Sequence, residues 1–194
     1  MRILNLYAGI GGNRHLWGED HEITAIEINP EISSIYKSKF HNDTVINTDA
    51  HYYLLNHYQE FDFIWSSPPC PSHSRICYSQ KEKKYIDMTL WQQIVFLKSW
   101  FKGKWVVENV VPYYDYLIQP SIIIGRHPYW CNFQVEQYKV KNIDISRSTQ
   151  EELSKYLNIP APKYKARLLL RNCVEPKVGL HFLNASIEKQ TELF

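Results

Sequence analysis

The sequence predicts an α/β fold in which a mostly parallel, twisted sheet carries helices on both faces. Short apolar runs of strand length alternate with helix-like segments over the first 110 residues, an order typical of parallel sheets with crossover helices. Glycine-rich or polar turns follow directly after these runs, at the edge where open α/β sheets bind their ligands. With 194 residues, the chain is long enough to form one domain with a sizeable core.

The first half of the chain contains five predicted strands. They are residues 2–7, 22–27, 44–46, 61–65 and 105–108. A helix is expected from Pro30, because proline is favoured in a first helical turn, to about Phe40. A second helix is expected over residues 86–101, where Ile86, Leu90, Ile94, Leu97 and Phe101 recur at helical spacing.

The second half is less regular. A helix over Thr149–Leu157 is predicted because Ser148 or Thr149 can cap it, with Glu152 near the cap. The other expected elements are a short helix over 113–118, a late hairpin from 129–135 and 138–140, an irregular link over 158–165, and a last helix from Pro176 to about Lys189.

Composition limits the class of protein. No apolar run is long enough to span a membrane, and the amino terminus has no signal-peptide pattern. Four irregularly spaced cysteines indicate a reducing compartment rather than a disulfide framework. Cys70, His73 and Cys77 have a conceivable zinc spacing, but no fourth ligand is near, so no metal site is predicted.

The net charge of +2 is small, but positive charge is concentrated in two segments. Residues 75–84 carry a net charge of +3, and residues 136–171 carry +4. Such segments suit a polyanionic partner. On charge alone, an ordinary solvated surface is the better explanation.

A cysteine loop follows the fourth predicted strand. The apolar run stops at Pro68 and Pro69, which cannot continue a sheet ladder, and Cys70 comes next. Cys70 is therefore expected on a rigid loop at the carboxyl edge of the sheet. The alternative is a buried, inert cysteine.

A glycine turn follows the first strand, and acids follow three others. Residues 8–12 hold three of the seven glycines, and Asn13 opens a short helix whose amino terminus presents free N–H groups. Glu27 comes about 20 residues later, where an acid can accept hydrogen bonds from a ribose. Asp49 and Glu108 end the third and fifth strands. Any one of these acids could be a helix cap, but the set as a whole indicates a ligand site.

Together these residues resemble the DNA cytosine-5 methyltransferase family, with the motifs in the family's order. Residues 6–12 resemble its cofactor motif, with Tyr7 where phenylalanine is usual. Pro68-Pro69-Cys70 resembles its nucleophile loop, with Ser74 as the trailing serine, and Glu108-Asn109-Val110 resembles its catalytic triplet. Residues 171–176 resemble the motif that returns to the cofactor pocket.

The resemblance covers residues 3–111 and 166–185. It implies a Rossmann-like, S-adenosylmethionine-dependent methyltransferase fold with a closing antiparallel hairpin, here placed at Tyr129–Val140. It also implies a single catalytic domain over residues 1–194. Residues 136–165 would stand where the family has a target-recognition domain, and residues 166–190 would return to the cofactor pocket through the last helix.

The resemblance further implies S-adenosyl-L-methionine as methyl donor and S-adenosyl-L-homocysteine as product. Glu27 would bind the ribose and Asp49 the adenine amino group. The implied cofactor-binding residues are Tyr7, Ala8, Gly9, Ile10, Gly11, Gly12, Glu27, Ile28, Asp49, Ala50, Pro68, Asn172 and Val174.

In the implied reaction, the Cys70 thiolate adds to carbon 6 of a flipped cytosine in duplex DNA, and Glu108 stabilises the ring. Asn109 would hold the loop, and Arg126 would contact the base or its phosphate. Residues 75–84 would close over the base and touch phosphates. The implied nucleic-acid contacts are Ser72, Ser74, Arg75, Lys81, Lys83 and Lys84.

Three departures from the family affect the expected function. Pro71 replaces the usual glutamine, the family's Gln-x-Arg-x-Arg motif is reduced to Gly125-Arg126-His127, and only about 30 residues replace the recognition domain. A basic segment with Tyr138, Tyr156 and Tyr164 could grip a backbone, but it is short for base readout. Short target specificity is the preferred explanation, as in small phage or mobile-element enzymes of restriction-modification type. A recognition partner subunit and lost activity are the alternatives.

Other functions stay open. The same chemistry on RNA is the runner-up, followed by a non-catalytic or partner-dependent subunit, while a dinucleotide-dependent oxidoreductase fits poorly with the cysteine loop. The expected protein is a monomer or small oligomer without a membrane partner. It is expected in the cytoplasm of a bacterial, archaeal or phage-infected cell.

Overall fold

Five parallel strands form the centre of the molecule. The computed structural model describes residues 1–74, 85–141, 143–145 and 147–188. The parallel strands are β1 (Arg2–Leu6), β2 (Glu22–Ile26), β3 (Thr44–Ile46), β4 (Phe63–Ser66) and β5 (Lys104–Glu108). An antiparallel hairpin, β6 (Ile122–Ile124) and β7 (His127–Cys131), extends the sheet beside β5, and the strand order is β3-β2-β1-β4-β5-β7-β6.

Helices cover both faces of this sheet. They are a 3-10 helix (Asn13–Leu16), α1 (Pro30–Lys39), α2 (Ala50–His57), a second 3-10 helix (Tyr58–Glu60), α3 (Thr89–Trp100), α4 (Gln150–Leu157), α5 (Ala166–Arg171) and α6 (Pro176–Ile187). Among the helices of the described residues, none has the length and apolar character to cross a membrane.

Alternation along the strands explains the two layers. Leu4, Ile64 and Val107 pack with apolar residues of α2 and α3 on one face. Their neighbours, including Ile3 and Val106, pack with α6 on the other face. Because successive side chains of a strand point to opposite sides, an unbroken apolar strand is buried on both faces. The predicted parallel sheet with helices on both faces is confirmed.

Two expectations about the second half of the chain are wrong, and one helix was not expected. The hairpin is formed by β6 and β7 and ends at Cys131, so it lies earlier than the predicted Tyr129–Val140. Residues 113–118 form no helix. The short helix α5 (Ala166–Arg171) follows the predicted irregular link and was not anticipated.

The segment in place of a recognition domain packs on the body of the protein. Helix α4 has the predicted capping box, in which the Thr149 hydroxyl accepts from the Glu152 N–H and the Glu152 carboxylate accepts from the Thr149 N–H. Apolar residues of α4 and α5 form a cluster with Ile10 of the glycine turn and with Ile32 and Ile35 of α1. The segment therefore covers the region behind the glycine turn.

The last helix packs directly on the start of the chain. A Cβ atom on Gly179 of α6 would lie 2.2 Å from the carbonyl oxygen of Asn13. Only glycine permits this approach of the two backbones. The first and last helices of the chain are thus fixed together.

Candidate active site

The glycine turn leaves β1 at the carboxyl edge of the sheet. The Ala8 N–H donates to the Ile26 carbonyl at 3.0 Å, and the Gly11 N–H donates to the Ala8 carbonyl at 2.9 Å. Gly9 and Gly11 have positive φ angles of 55° and 77°, which favour glycine and explain the sequence of the turn. Tyr7 also has a positive φ, 55°, without being glycine.

Glu27 anchors this turn. Its side chain accepts hydrogen bonds from the N–H groups of Gly9 and Asn29, each at 3.0 Å. Each carboxylate oxygen keeps lone-pair capacity for a further donor. The next residue, Ile28, is 64% exposed although it is a large apolar side chain.

Asp49 stands at the same edge, after β3. Its side chain caps α2 by accepting from the Tyr52 N–H at 2.7 Å, and it remains exposed. Ala50, which follows it, is buried in the core. The acids at the ends of β2 and β3 therefore stand beside the turn that follows β1, as the parallel register requires.

The carboxyl-terminal segment returns to the glycine turn. A Cβ atom on Gly12 would lie 2.5 Å from the Val174 carbonyl oxygen and 2.8 Å from the Cys173 sulfur. Burial raises the pKa of the Cys173 thiol to about 12, so this thiol stays protonated behind the turn. Asn172, next to it, is exposed. Residues 173 and 174 therefore pack against Gly12.

The cysteine loop is tied to the segment after β5. The Asn109 side-chain N–H donates to the Pro68 carbonyl at 2.9 Å, and its side-chain oxygen accepts from the Val110 N–H at 2.9 Å. Asn109 is only 2% exposed. Further along, Ser74 forms an isolated bridge with Pro112. Asn109 and the bridge at Ser74 therefore join the cysteine loop to the segment after β5.

Cys70 lies half-buried within this loop. Its carbonyl accepts from the N–H groups of His73 and Ser74 at 3.0 and 3.1 Å, so a tight turn directly follows the cysteine. Buried His73 contacts the Tyr114 hydroxyl through its ring nitrogen, and burial lowers the pKa of its imidazole. The loop is thus fixed on both sides of Cys70.

Glu108 ends β5 on the neighbouring strand. Its carboxyl is 8% exposed, and its nearest basic group is the His127 ring at 4.0 Å. Ser66 of β4 pairs with Val107, so Glu108 and the start of the cysteine loop leave the sheet side by side. Arg126 is exposed in the turn between β6 and β7, next to His127.

A cavity of about 330 Å³ adjoins this hairpin turn. Arg126, His127, Tyr156 and Glu175 contribute its polar lining. The Tyr156 hydroxyl donates to the Glu175 carboxylate, and burial together with this bond raises the pKa of Tyr156. Tyr156 is therefore engaged inside the protein, which argues against the expected grip on a nucleic-acid backbone.

The expected nucleic-acid contacts divide into two groups. Ser72 accepts a hydrogen bond from the Asp87 N–H at 3.2 Å, and Ser74 is part of the bridge to Pro112. Arg75, Lys81, Lys83 and Lys84 lie outside the described residues. In the part of the chain that the structure describes, no three or more His, Cys, Asp or Glu side chains cluster in a way that could hold a metal ion.

Sequence reasoning missed two buried polar groups at this edge. Arg14, 1% exposed, donates twice to the Asp43 carboxylate at 3.0 Å, and the Tyr36 hydroxyl donates to the same carboxylate at 2.7 Å. Gln93, fully buried, contacts Tyr7, Ser66 and His51. The Arg14 group braces the 3-10 helix that follows the glycine turn.

The fold has the Rossmann-like architecture of S-adenosylmethionine-dependent methyltransferases. The profile of the C-5 cytosine-specific DNA methylases matches residues 1–112. The chain belongs to this family.

Similar proteins extend the comparison. The tRNA (cytosine(38)-C(5))-methyltransferases of Mus musculus and Homo sapiens are 32% and 30% identical over 82 residues, which is 39% of this chain. The matched region spans about a fifth of those relatives, 20% and 21%. A DNMT2 mutant from Spodoptera frugiperda is 29% identical, with a TM-score of 0.40, over 56% of this chain and 35% of that one.

S-adenosyl-L-methionine is the cofactor of this family, and the residues at the edge fit it. Glu27 has spare acceptor capacity beside the glycine turn, and a large apolar side chain, Ile28, faces solvent next to it. Hydroxyl groups of a ribose and the face of an adenine match these two features.

Proposed function

We propose that this protein is a DNA cytosine-5 methyltransferase that modifies a flipped cytosine in duplex DNA through a covalent adduct with Cys70. The observation that carries the proposal is the bond from Asn109 to the Pro68 carbonyl. This bond fixes the cysteine loop beside Glu108, at the sheet edge that also carries the glycine turn and Glu27.

The donor would be held by residues of β1, β2 and β3 and by the carboxyl-terminal segment. These are Tyr7, Ala8, Gly9, Ile10, Gly11, Gly12, Glu27, Ile28, Asp49, Ala50, Pro68, Asn172 and Val174. When bound, S-adenosyl-L-methionine supplies an electrophilic methyl group to carbon 5 of the base.

Cys70 supplies the electrons that make carbon 5 reactive. Its thiolate adds to carbon 6, and the ring electrons move toward carbon 5, which is otherwise a poor nucleophile. After methylation, a base removes the proton from carbon 5. The carbon 5–carbon 6 double bond re-forms and the thiolate leaves.

Glu108 acts on the opposite side of the ring. A carboxyl that is 8% exposed sits in a low-dielectric site, where a shared proton with ring nitrogen 3 is worth more than in water. Its other oxygen can accept from the exocyclic amine, which distinguishes cytosine from uracil. Arg126, on the hairpin turn, would contact the base or its phosphate.

RNA is the second candidate substrate. The observation that favours it is the 30–32% identity to tRNA methyltransferases over 82 residues. The short segment over residues 136–165 is consistent with either a short DNA target or a substrate recognised by its shape. A partner subunit could also supply recognition.

Labelled methyl transfer tests the proposal. The unmodified protein, Cys70→Ser and Cys131→Ser are each given labelled donor with unmethylated duplex DNA, with RNA, or with no acceptor. Cys131 is a suitable control because its thiol donates to the Phe133 carbonyl, within the protein, at 3.3 Å. Label on carbon 5 of cytosine in DNA, lost only with Cys70→Ser, is the expected result.

Trapping adds a readout for the covalent step. Duplex DNA with 5-fluorocytosine should form a stable adduct with Cys131→Ser but not with Cys70→Ser, because fluorine cannot leave as a proton. Label on RNA alone contradicts the DNA assignment and supports the second candidate. Donor binding without label on either acceptor contradicts catalysis by this chain alone.

A further inference from the structure

Gln93 is a fully buried polar side chain at the centre of the donor edge. It lies on α3 and has no exposed surface. Its side-chain oxygen accepts from the Ser66 hydroxyl at 2.6 Å. Its side-chain nitrogen lies 2.6 Å from the Tyr7 hydroxyl oxygen and 3.3 Å from the His51 Nδ1.

The hydrogen atoms in this group can be assigned from its chemistry. A glutamine nitrogen has two N–H donors and accepts nothing. It therefore donates one hydrogen bond to the Tyr7 oxygen and the other to Nδ1 of His51, which places the His51 proton on Nε2. The Tyr7 hydroxyl then still has its own hydrogen to donate, and this hydrogen has no acceptor among the described residues.

Tyr7 needs such an anchor. It has a left-handed backbone, φ 55°, which is strained for a bulky side chain and persists only where the surroundings hold it. Tyr7 is also the first residue of the turn that carries Gly9 and Gly11. A fixed Tyr7 therefore fixes where the turn begins.

We propose that Gln93 is a positioning residue of the donor site: it holds Tyr7 so that the free hydroxyl hydrogen of Tyr7 is presented to the donor. The inference rests on the proposed function, since the donor is S-adenosyl-L-methionine. It assigns a role to the hydroxyl that distinguishes Tyr7 from the family's usual phenylalanine. It also explains why a glutamine is buried in an otherwise apolar helix face.

A double-mutant cycle on product binding tests this role. S-adenosyl-L-homocysteine affinity is measured by calorimetry for the unmodified protein, Gln93→Met, Tyr7→Phe and the double variant. Gln92→Met is the control, because Gln92 is the exposed neighbour of Gln93 on the same helix. Thermal unfolding of each variant is recorded alongside.

Each single variant at Gln93 or Tyr7 should weaken binding about tenfold, and KM for the donor should rise by the same factor. The double variant should be no weaker than either single variant, because both remove one interaction. Gln92→Met should bind within about twofold of the unmodified protein. A purely structural role for Gln93 would lower thermal stability without this pattern.

Two results overturn the inference. One is an affinity of Tyr7→Phe for S-adenosyl-L-homocysteine within twofold of that of the unmodified protein. This result can be obtained even if Gln93→Met does not fold. The other is that Gln93→Met lowers the affinity for S-adenosyl-L-homocysteine by the same factor whether residue 7 is tyrosine or phenylalanine. If the unmodified protein binds the product but transfers no methyl group, the proposed function fails while this inference is still decided by binding. No binding by the unmodified protein contradicts both.

Discussion

Replacing Asn109 with leucine should release the cysteine loop. Leucine has nearly the same shape but cannot donate to the Pro68 carbonyl or accept from the Val110 N–H, both at 2.9 Å. An unpaired buried carbonyl costs about 1–3 kcal/mol. Pro68 is buried, whereas Val110 is half-exposed and can turn to water. The loss in unfolding free energy is therefore about 2 kcal/mol.

The loss should be visible in three measurements. For a chain of this size, about 2 kcal/mol corresponds to a fall in Tm of roughly 4–8 °C. Methyl transfer should fall about 100-fold, since a displacement of about 1 Å at a reacting group costs that much. Hydrogen exchange at the His73 and Ser74 amides, which bond to the Cys70 carbonyl, should become faster.

Asn132→Leu is the matched control. Asn132 makes the same pair of bonds, to the Gly103 carbonyl at 2.9 Å and from the Trp105 N–H at 3.0 Å, near the start of β5. It should leave the transfer rate and loop exchange unchanged. The reasoning is refuted if Asn109→Leu keeps a transfer rate within about threefold of the unmodified protein, or if Asn132→Leu loses as much.

Two further predictions concern the glycine turn and pH. Gly12→Ala should abolish binding of S-adenosyl-L-homocysteine, because its Cβ would lie 2.5 Å from the Val174 carbonyl. The control is Gly18→Ala, which has nothing within 4 Å of its Cβ and should bind normally while losing only about 1 kcal/mol of stability. Calorimetry measures both affinities, and equal binding by the two variants contradicts the close approach at Gly12. Burial lowers the pKa of His73 below its ordinary 6.5, so its contribution to stability is complete above about pH 6.5 and is lost as pH falls below that value. Urea unfolding should show His73→Gln with a shallower loss on acidification; an unchanged slope contradicts this assignment.

The first half of the fold could be predicted because its signals are local. Apolar runs at β1, β2, β4 and β5 stop at glycine, acid or proline, and these residues are also the ones that line the site. Thr149 and Glu152 likewise predicted the start of α4, because both residues of its capping box lie within four positions of the chain. Local chemistry of this kind can be read directly from the chain.

The hairpin was misplaced because its signals conflict with its position. Residues 129–140 are rich in aromatic and β-branched side chains, whereas β7 contains Pro128. That proline is tolerated because Tyr129 pairs with Glu108, the last residue of β5, so Pro128 lies just beyond the residues that pair with β5, although it pairs with Ile123 of β6. The position of the hairpin can therefore be seen only from the register in which β5 and β7 pair.

The missed elements depend on distant partners. Helix α5 begins at Ala166, and its N-cap residue Lys165 has φ 42° and makes no side-chain cap, so the sequence carries no start signal. Gln93 meets Tyr7 across 86 positions and Arg14 meets Asp43 across 29. A buried polar residue is recognisable only when its partners are known.

The packing of Gly179 against Asn13 has a consequence for how the protein is made. Translation proceeds at about 5–20 residues per second, so roughly 10–30 s pass between synthesis of the glycine turn and synthesis of residues 173–179. Until then the turn lacks the backbone of Val174 and the helix that covers it. The donor pocket therefore forms only after α6 has been synthesised and has docked, later than the five parallel strands.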